Sequence, residues 1–249
     1  MRTVKPEVAR FTRVCAYDRA GLGYSDTGPS PRTAERIARE LALLLDRAGE
    51  TGPVVMTAAS LGAFSARVLA STDAERVAGL VLVDASHEDQ TLEVPPVAPY
   101  AGLLASIGVF RVLDVSFSGE PDQVAPAVRD FARATRLRTT AYSAPASELR
   151  HASQSAEQVK ATRRVLSIPL VVLTGAYGNT GQWKQLQLDQ LRLSTRSCQI
   201  VAEQSGHNVP LAQPQAVTQA VRLVVNAARK ESQGPPCAST DVNTPPPAS

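Results

Sequence analysis

The sequence is short of the residues from which metal sites, disulfide frameworks and membrane spans are built. Its three cysteines, Cys15, Cys198 and Cys237, are odd in number and far apart, and no CxxC pair exists. That pattern predicts neither a zinc site nor a disulfide. Cys15 and Cys198 lie in apolar, strand-like runs, where a buried free thiol is the expectation. The longest apolar run, from Tyr100 to Leu113, is interrupted by Ser106, Gly108 and Arg111 and is too short to span a bilayer. The opening MRTVKPEVARFTRVCAYD holds no apolar stretch of signal-peptide length, which predicts a cytoplasmic chain. Basic residues are scattered, the net charge is only +3, and no basic stripe carries interleaved aromatics, so nucleic acid is not an expected partner. Gly21-Leu22-Gly23 follows a strand-like run, but Asp26 stands where a dinucleotide fingerprint needs its third glycine. Gly175, Gly178 and Gly181 are not followed by the Gly-Lys-Ser/Thr of a phosphate loop. No cofactor is therefore implied.

What remains is an ordinary globular composition, 43% hydrophobic and 20% charged over 249 residues, long enough for one sizeable core. Strand-like runs alternate with helical patterns. Strands are expected at Arg13–Tyr17, Pro53–Thr57, Gly79–Asp84, Pro169–Thr174 and Cys198–Glu203. Ser30-Pro31 reads as a helix start, with an apolar face of Ile37, Leu41, Leu44, Leu45 and Ala48. Further helices are expected at Leu61–Ala70 and from Pro214 onward. Most of the strand runs are continuously apolar rather than alternating, which favours a mostly parallel sheet with helices on both faces, an α/β fold. Residues 88–165 interrupt the rhythm as a long helical insertion between the third and fourth strands. Residues 1–87 and 166–230 then form the core, and the Pro-, Ser- and Thr-rich 231–249 is an expected disordered tail.

Three residues carry the candidate chemistry. In PVVMTAASLGAFSARVLA a strand runs into Ala58-Ala59-Ser60-Leu61-Gly62 and a helix follows at once. That is the context of a nucleophile elbow, a sharp turn that needs small residues two before and two after the serine. His207, just past the last strand, is the candidate base, because a near-neutral histidine can take the serine proton and return it to a leaving group. Asp84, at the end of the third strand, is the candidate acid; parallel strands bring their carboxyl ends to one edge. Asp189 and Glu203 are the rivals for that role. His87 and Ala59 are candidates for lining a substrate pocket.

TRVCAYDRAGLGYSD, the AASLG elbow, VAGLVLVDASHEDQ, IPLVVLTG and SGHNVPLAQPQAV together resemble a bacterial α/β-hydrolase of the esterase, epoxide-hydrolase and dehalogenase-like branch, over roughly Thr3 to Arg229. The resemblance implies an α/β-hydrolase sheet with 88–165 as a helical cap. It also implies a small-molecule substrate, no cofactor, and a Ser60–Asp84–His207 triad, since some members place the acid after the strand that follows the nucleophile helix. A serine nucleophile is similar to the esterase members; epoxide hydrolases and haloalkane dehalogenases carry aspartate there. Two departures stand out. Ala58-Ala59 replaces the family's Gly-His. The family's strands before TRVCAYD, with the HG-type loop that supplies one oxyanion amide, do not occur in this sequence, so the Leu61 amide is the one oxyanion donor expected. Two readings follow: a serine hydrolase of acyl bonds, or a catalytically impaired or truncated member that acts as a binding protein or has no function.

Overall fold

The computed structural model describes residues 3–91, 94, 96, 100–109, 140–229 and 234–238. Helix α1 (Val4–Ala9) comes first, then α2 (Ala34–Arg47), strand β1 (Val54–Ala59), α3 (Gly62–Thr72) and β2 (Val77–Val83). Helices α4 (Ala101–Ser106), α5 (Thr140–Arg150) and α6 (Ala152–Thr162) lie between β2 and β3 (Leu166–Gly175). The chain then runs through α7 (Gly181–Asp189), β4 (Ser194–Ala202), α8 (Val209–Ala212) and α9 (Pro214–Arg229). The four strands form one parallel sheet in the order β1-β2-β3-β4.

The continuous apolar runs are explained by which side each residue faces. Leu80 and Leu82 of β2, with Leu170 and Val172 of β3, point into a core completed by Ala38, Phe64, Val68 and Val159 from α2, α3 and α6. Val81, Val83, Val171 and Leu173 point the other way, onto Val4 and Val8 of α1 and Val217, Val221 and Val224 of α9. Side chains alternate sides along a strand, and helices cover both sides, so every position is apolar.

Four expectations are corrected. Arg13–Tyr17 is not a strand. Val14 packs with Phe11 and Val55 at the edge of the second core, but the segment has no ladder partner among the described residues. Apolar sequence alone makes no strand without a partner for its backbone donors and acceptors. Helix α2 starts at Ala34 rather than at Ser30-Pro31, whose peptide bond is cis. Its buried stripe is Ala34, Ile37 and Ala38, and Leu44 is turned outward. The thiols differ most. Cys198 and Cys237 are joined in a disulfide, and Cys15 is exposed. Within the expected disordered tail, Pro236–Ala238 forms a short 3-10 turn held to β4 by that bond; 231–233 and 239–249 lie outside the described residues. So do residues 92, 93, 95, 97–99 and 110–139 of the expected helical insertion.

Among the described residues no helix is long and apolar enough to cross a membrane.

Candidate active site

Ser60, Asp84 and His207 meet at the carboxyl ends of the strands. Ser60 opens the turn between β1 and α3 with φ 50°, a conformation that non-glycine residues rarely adopt. Two backbone hydrogen bonds hold it there: its N–H donates to the Val83 carbonyl at 3.3 Å and its carbonyl accepts from Ser86 at 3.1 Å. The turn is thus tied to the end of β2, where Asp84 is also at positive φ, 39°. Strain of this kind costs about 1–3 kcal/mol per residue and persists where surrounding bonds over-determine it.

His207 Nδ1 lies 2.6 Å from Asp84 Oδ2, and its Nε2 lies 3.1 Å from Ser60 Oγ. A carboxylate can only accept, so Nδ1 carries the proton and Nε2 presents a lone pair to the serine hydroxyl. The other Asp84 oxygen accepts from the Gly175 amide at 3.2 Å. The hydrogen bond to Asp84 raises the His207 pKa above its usual value, against partial burial, which lowers it; the Asp84 charge adds to the rise. The ring remains half exposed and lies edge-on to Trp183, 6.3 Å between centroids. Trp183, on α7, is a neighbour that the sequence reading passed over. Its signal was its being the sole tryptophan, placed just after a strand end.

Helix α3 starts at Gly62, two residues after the serine, with Leu61 at its N-cap position and no side-chain cap. The Ala63 and Phe64 amides donate to the Ser60 and Leu61 carbonyls. Leu61 and Gly62 are thus the open donors of the first turn, where the helix dipole also favours negative charge. The small residue at 62 is not a steric necessity here. A Cβ on Gly62 would stand 3.6 Å from Arg19 Nη1, an ordinary contact.

Gly175 is different. A Cβ there would lie 2.2 Å from the Gly206 carbonyl oxygen and 2.7 Å from its carbon. The loop carrying His207 crosses the end of β3 at backbone contact, and only glycine permits it. Gly175→Ala is therefore expected to push residues 205–207 away and to slow any reaction that depends on the contact of Ser60 with His207 by about 10²-fold, the usual effect of misplacing a reacting group by an ångström. Steady-state kinetics on the folded variant would check this; unchanged turnover would show that the loop gives way without moving His207.

The remaining candidates separate clearly. Ala59 is exposed at the end of β1, beside the serine. His87 does not line a pocket: it is 1% exposed, its Nε2 faces Asp189 at 3.2 Å and its Nδ1 accepts from the Asp89 amide. Asp189 is not the partner of His207, because it accepts from Arg163 at 2.7 Å and faces His87 instead. Glu203 is exposed, and it is Asp84 that His207 meets. Beneath His87 lies a buried pair, with Arg67 donating two bonds to Glu88 at 2.6 and 2.7 Å and Arg163 adding a third at 3.0 Å. Burial raises the Glu88 pKa, but the Arg67 hydrogen bond and charge outweigh it and bring it down to about 2. Among the described residues no group of histidine, cysteine, aspartate or glutamate could hold a metal ion.

A parallel sheet whose strand ends carry this serine, acid and histidine defines a hydrolase fold. Residues 2–220 match the alpha/beta hydrolase family, and the chain belongs to that family. A thermophilic esterase from Thermogutta terrifontis, solved malate bound, is similar in structure: TM-score 0.65, 25% identity, 91% of this chain and 86% of that one. The epoxide hydrolase CorEH, at TM-score 0.66 and 16% identity, covers 90% of this chain and 86% of its own and shares the fold. Among curated relatives, an uncharacterized protein of Schizosaccharomyces pombe is 32% identical over 126 residues, 48% of this chain. The chain spans 23% of that relative's length.

Proposed function

We propose that this chain is a serine hydrolase acting on carboxylic-ester or related acyl bonds of a small molecule. Ser60 Oγ attacks the substrate carbonyl as His207 Nε2 takes its proton. The Leu61 amide, with the open end of α3, receives the oxyanion. His207 then gives the proton to the leaving group, and water repeats the sequence to release the acid. Asp84 holds the imidazole in the Nδ1–H tautomer and stabilises the imidazolium. The helices between β2 and β3 act as a cap over substrate entry. The observation that carries this reading is the continuous line from Ser60 Oγ through His207 to Asp84, 3.1 Å and 2.6 Å. The test is labelling with a fluorophosphonate probe. The protein should be labelled and its Ser60→Ala variant should not; a folded protein that resists the probe would sink the assignment.

The pH profile follows from the raised His207 pKa. Activity requires the neutral ring, so kcat/KM should rise with pH through a midpoint above the ordinary histidine value of about 6.5. The stabilising effect of the His207–Asp84 bond runs the other way. It is fully present below the unfolded pKa and is lost as pH rises through the folded one. A kinetic midpoint at or below the ordinary value would contradict this.

A further inference from the structure

Helix α7 and the 3-10 turn that continues it carry one stripe of side chains that reaches both partners of the Asp84–His207 pair. Trp183, Gln187 and Gln190 follow one another at four and three residues, the spacing that sets side chains on one side of a helix. Trp183 lies edge-on to the His207 ring, 6.3 Å between centroids. Gln187 Nε2 donates to the Ala85 carbonyl at 2.8 Å, and Gln190 Nε2 donates to the same oxygen at 3.1 Å. Both glutamines are 0% exposed, and the Oε1 of each has no partner among the described residues. A buried carboxamide oxygen left unmet offsets much of what the same group's hydrogen bond contributes, and here there are two. One donor would already satisfy the Ala85 carbonyl. A second buried glutamine on it calls for a reason other than stability.

That reason lies one residue upstream. Asp84 is at φ 39°, and a strained residue keeps its conformation where its surroundings over-determine it. On its near side the sheet supplies the hold. The Asp84 N–H donates to the Leu173 carbonyl at 2.7 Å, and the Gly175 N–H donates to Asp84 Oδ1 at 3.2 Å. On its far side the next fixed group is the peptide joining Ala85 to Ser86. The N–H of that peptide donates to the Ser60 carbonyl at 3.1 Å, and its oxygen takes the two glutamines. The plane is pinned at both ends, to the serine turn on one and to α7 on the other. We infer that Gln187 and Gln190 are positioning residues, which fix this peptide so that Asp84 Oδ2 stays on His207 Nδ1 and the Ser60 turn stays in register with it. The structural part of the inference rests on the Asp84–His207 bond; its kinetic part rests on the proposed serine-hydrolase mechanism. Without the two donors the peptide is free to rotate, Asp84 relaxes from positive φ, and its 2.6 Å contact with His207 opens. Trp183 is the other end of the same stripe, so one helix sets the acid turn and flanks the base.

The experiment reads His207 itself, without substrate. Gln187→Met and Gln190→Met, singly and together, keep the length of the side chain and remove the donor. The His207 ring is titrated by proton NMR, its resonance assigned by its loss in His207→Gln. Asp84→Asn supplies the midpoint of a ring that has lost its carboxylate. The ring faces Asp84, Ser60 and Trp183, and the Asp84 bond is the main cause of its raised midpoint. In the double variant the midpoint should fall toward that of Asp84→Asn, with the single variants between. Under the proposed mechanism kcat on an activated ester should fall about 10²-fold at unchanged KM, because alignment is lost and substrate contacts are not. The single variants carry the test if the double variant fails to fold. A pair that is merely structural would lower the melting temperature and leave the His207 midpoint where it is, and that result overturns the inference. A lowered midpoint in a protein that neither hydrolyses esters nor takes the fluorophosphonate probe would sink the serine-hydrolase reading and leave the positioning pair in place.

Discussion

Replacing Asp84 with asparagine is expected to slow ester turnover by about 10⁴-fold while the protein stays folded. The two residues have the same shape, and asparagine tolerates the positive φ of this position well. The asparagine carbonyl can go on accepting from the Gly175 amide, as Oδ1 does now. The other arm, however, becomes an NH2 group facing His207 Nδ1. Two donors cannot share that contact, so the imidazole must shift its proton to Nε2. Nε2 then faces Ser60 Oγ as a donor and cannot take the serine proton. Rate loss at unchanged circular dichroism would fit this account. A variant that keeps more than about a tenth of the activity would mean that Asp84 is not what orients His207.

Loss of the Cys198–Cys237 disulfide is expected to cost about 4 kcal/mol, because the bond closes a loop between residues 39 apart and so restricts the unfolded chain. For a protein of this length each kcal/mol moves the melting temperature by roughly 2–4 °C, so Cys237→Ser should melt roughly 8–16 °C lower. Reducing agent should reproduce the shift in the unsubstituted protein and leave the variant unaffected. The bond also carries the Pro236–Ala238 turn against β4, with the Cys237 amide on Cys198 Sγ at 3.2 Å and Arg196 reaching the Gly234 carbonyl at 3.4 Å. A melting curve indifferent to reductant would show that the bond does not form in the purified protein.

The parallel core was legible because β2 and β3 are apolar on both faces, and such runs have few other homes. Ser60, Asp84 and His207 were legible for a related reason: each follows a strand, and parallel strands bring their ends together. What stayed hidden needed distance rather than pattern. Cys198 and Cys237 show no spacing motif, and the tail's Pro-, Ser- and Thr-rich composition argued for disorder. Arg13–Tyr17 has strand-like residues but no ladder partner among the described residues, and pairing is not a local property. His87 comes three residues after Asp84 past the same strand; its burial against Asp189 depends on α7, a helix far along the chain. Arg19 could be assigned to hydrogen bonding at its turn, where Gly21 donates to the Asp26 carbonyl and Leu22 to that of Arg19. Its partner Glu148, in the insertion, could not be read from sequence.

The positive φ angles at Ser60 and Asp84 bear on how this protein would respond to selection. Glycine at either position would relieve the backbone and, under the proposed mechanism, remove the chemistry in one step. A library screened for heat resistance alone would therefore tend to enrich inactive molecules at these two sites. Any campaign to harden the protein must score the proposed turnover alongside survival, or it will discard the two residues on which the proposed hydrolase chemistry rests.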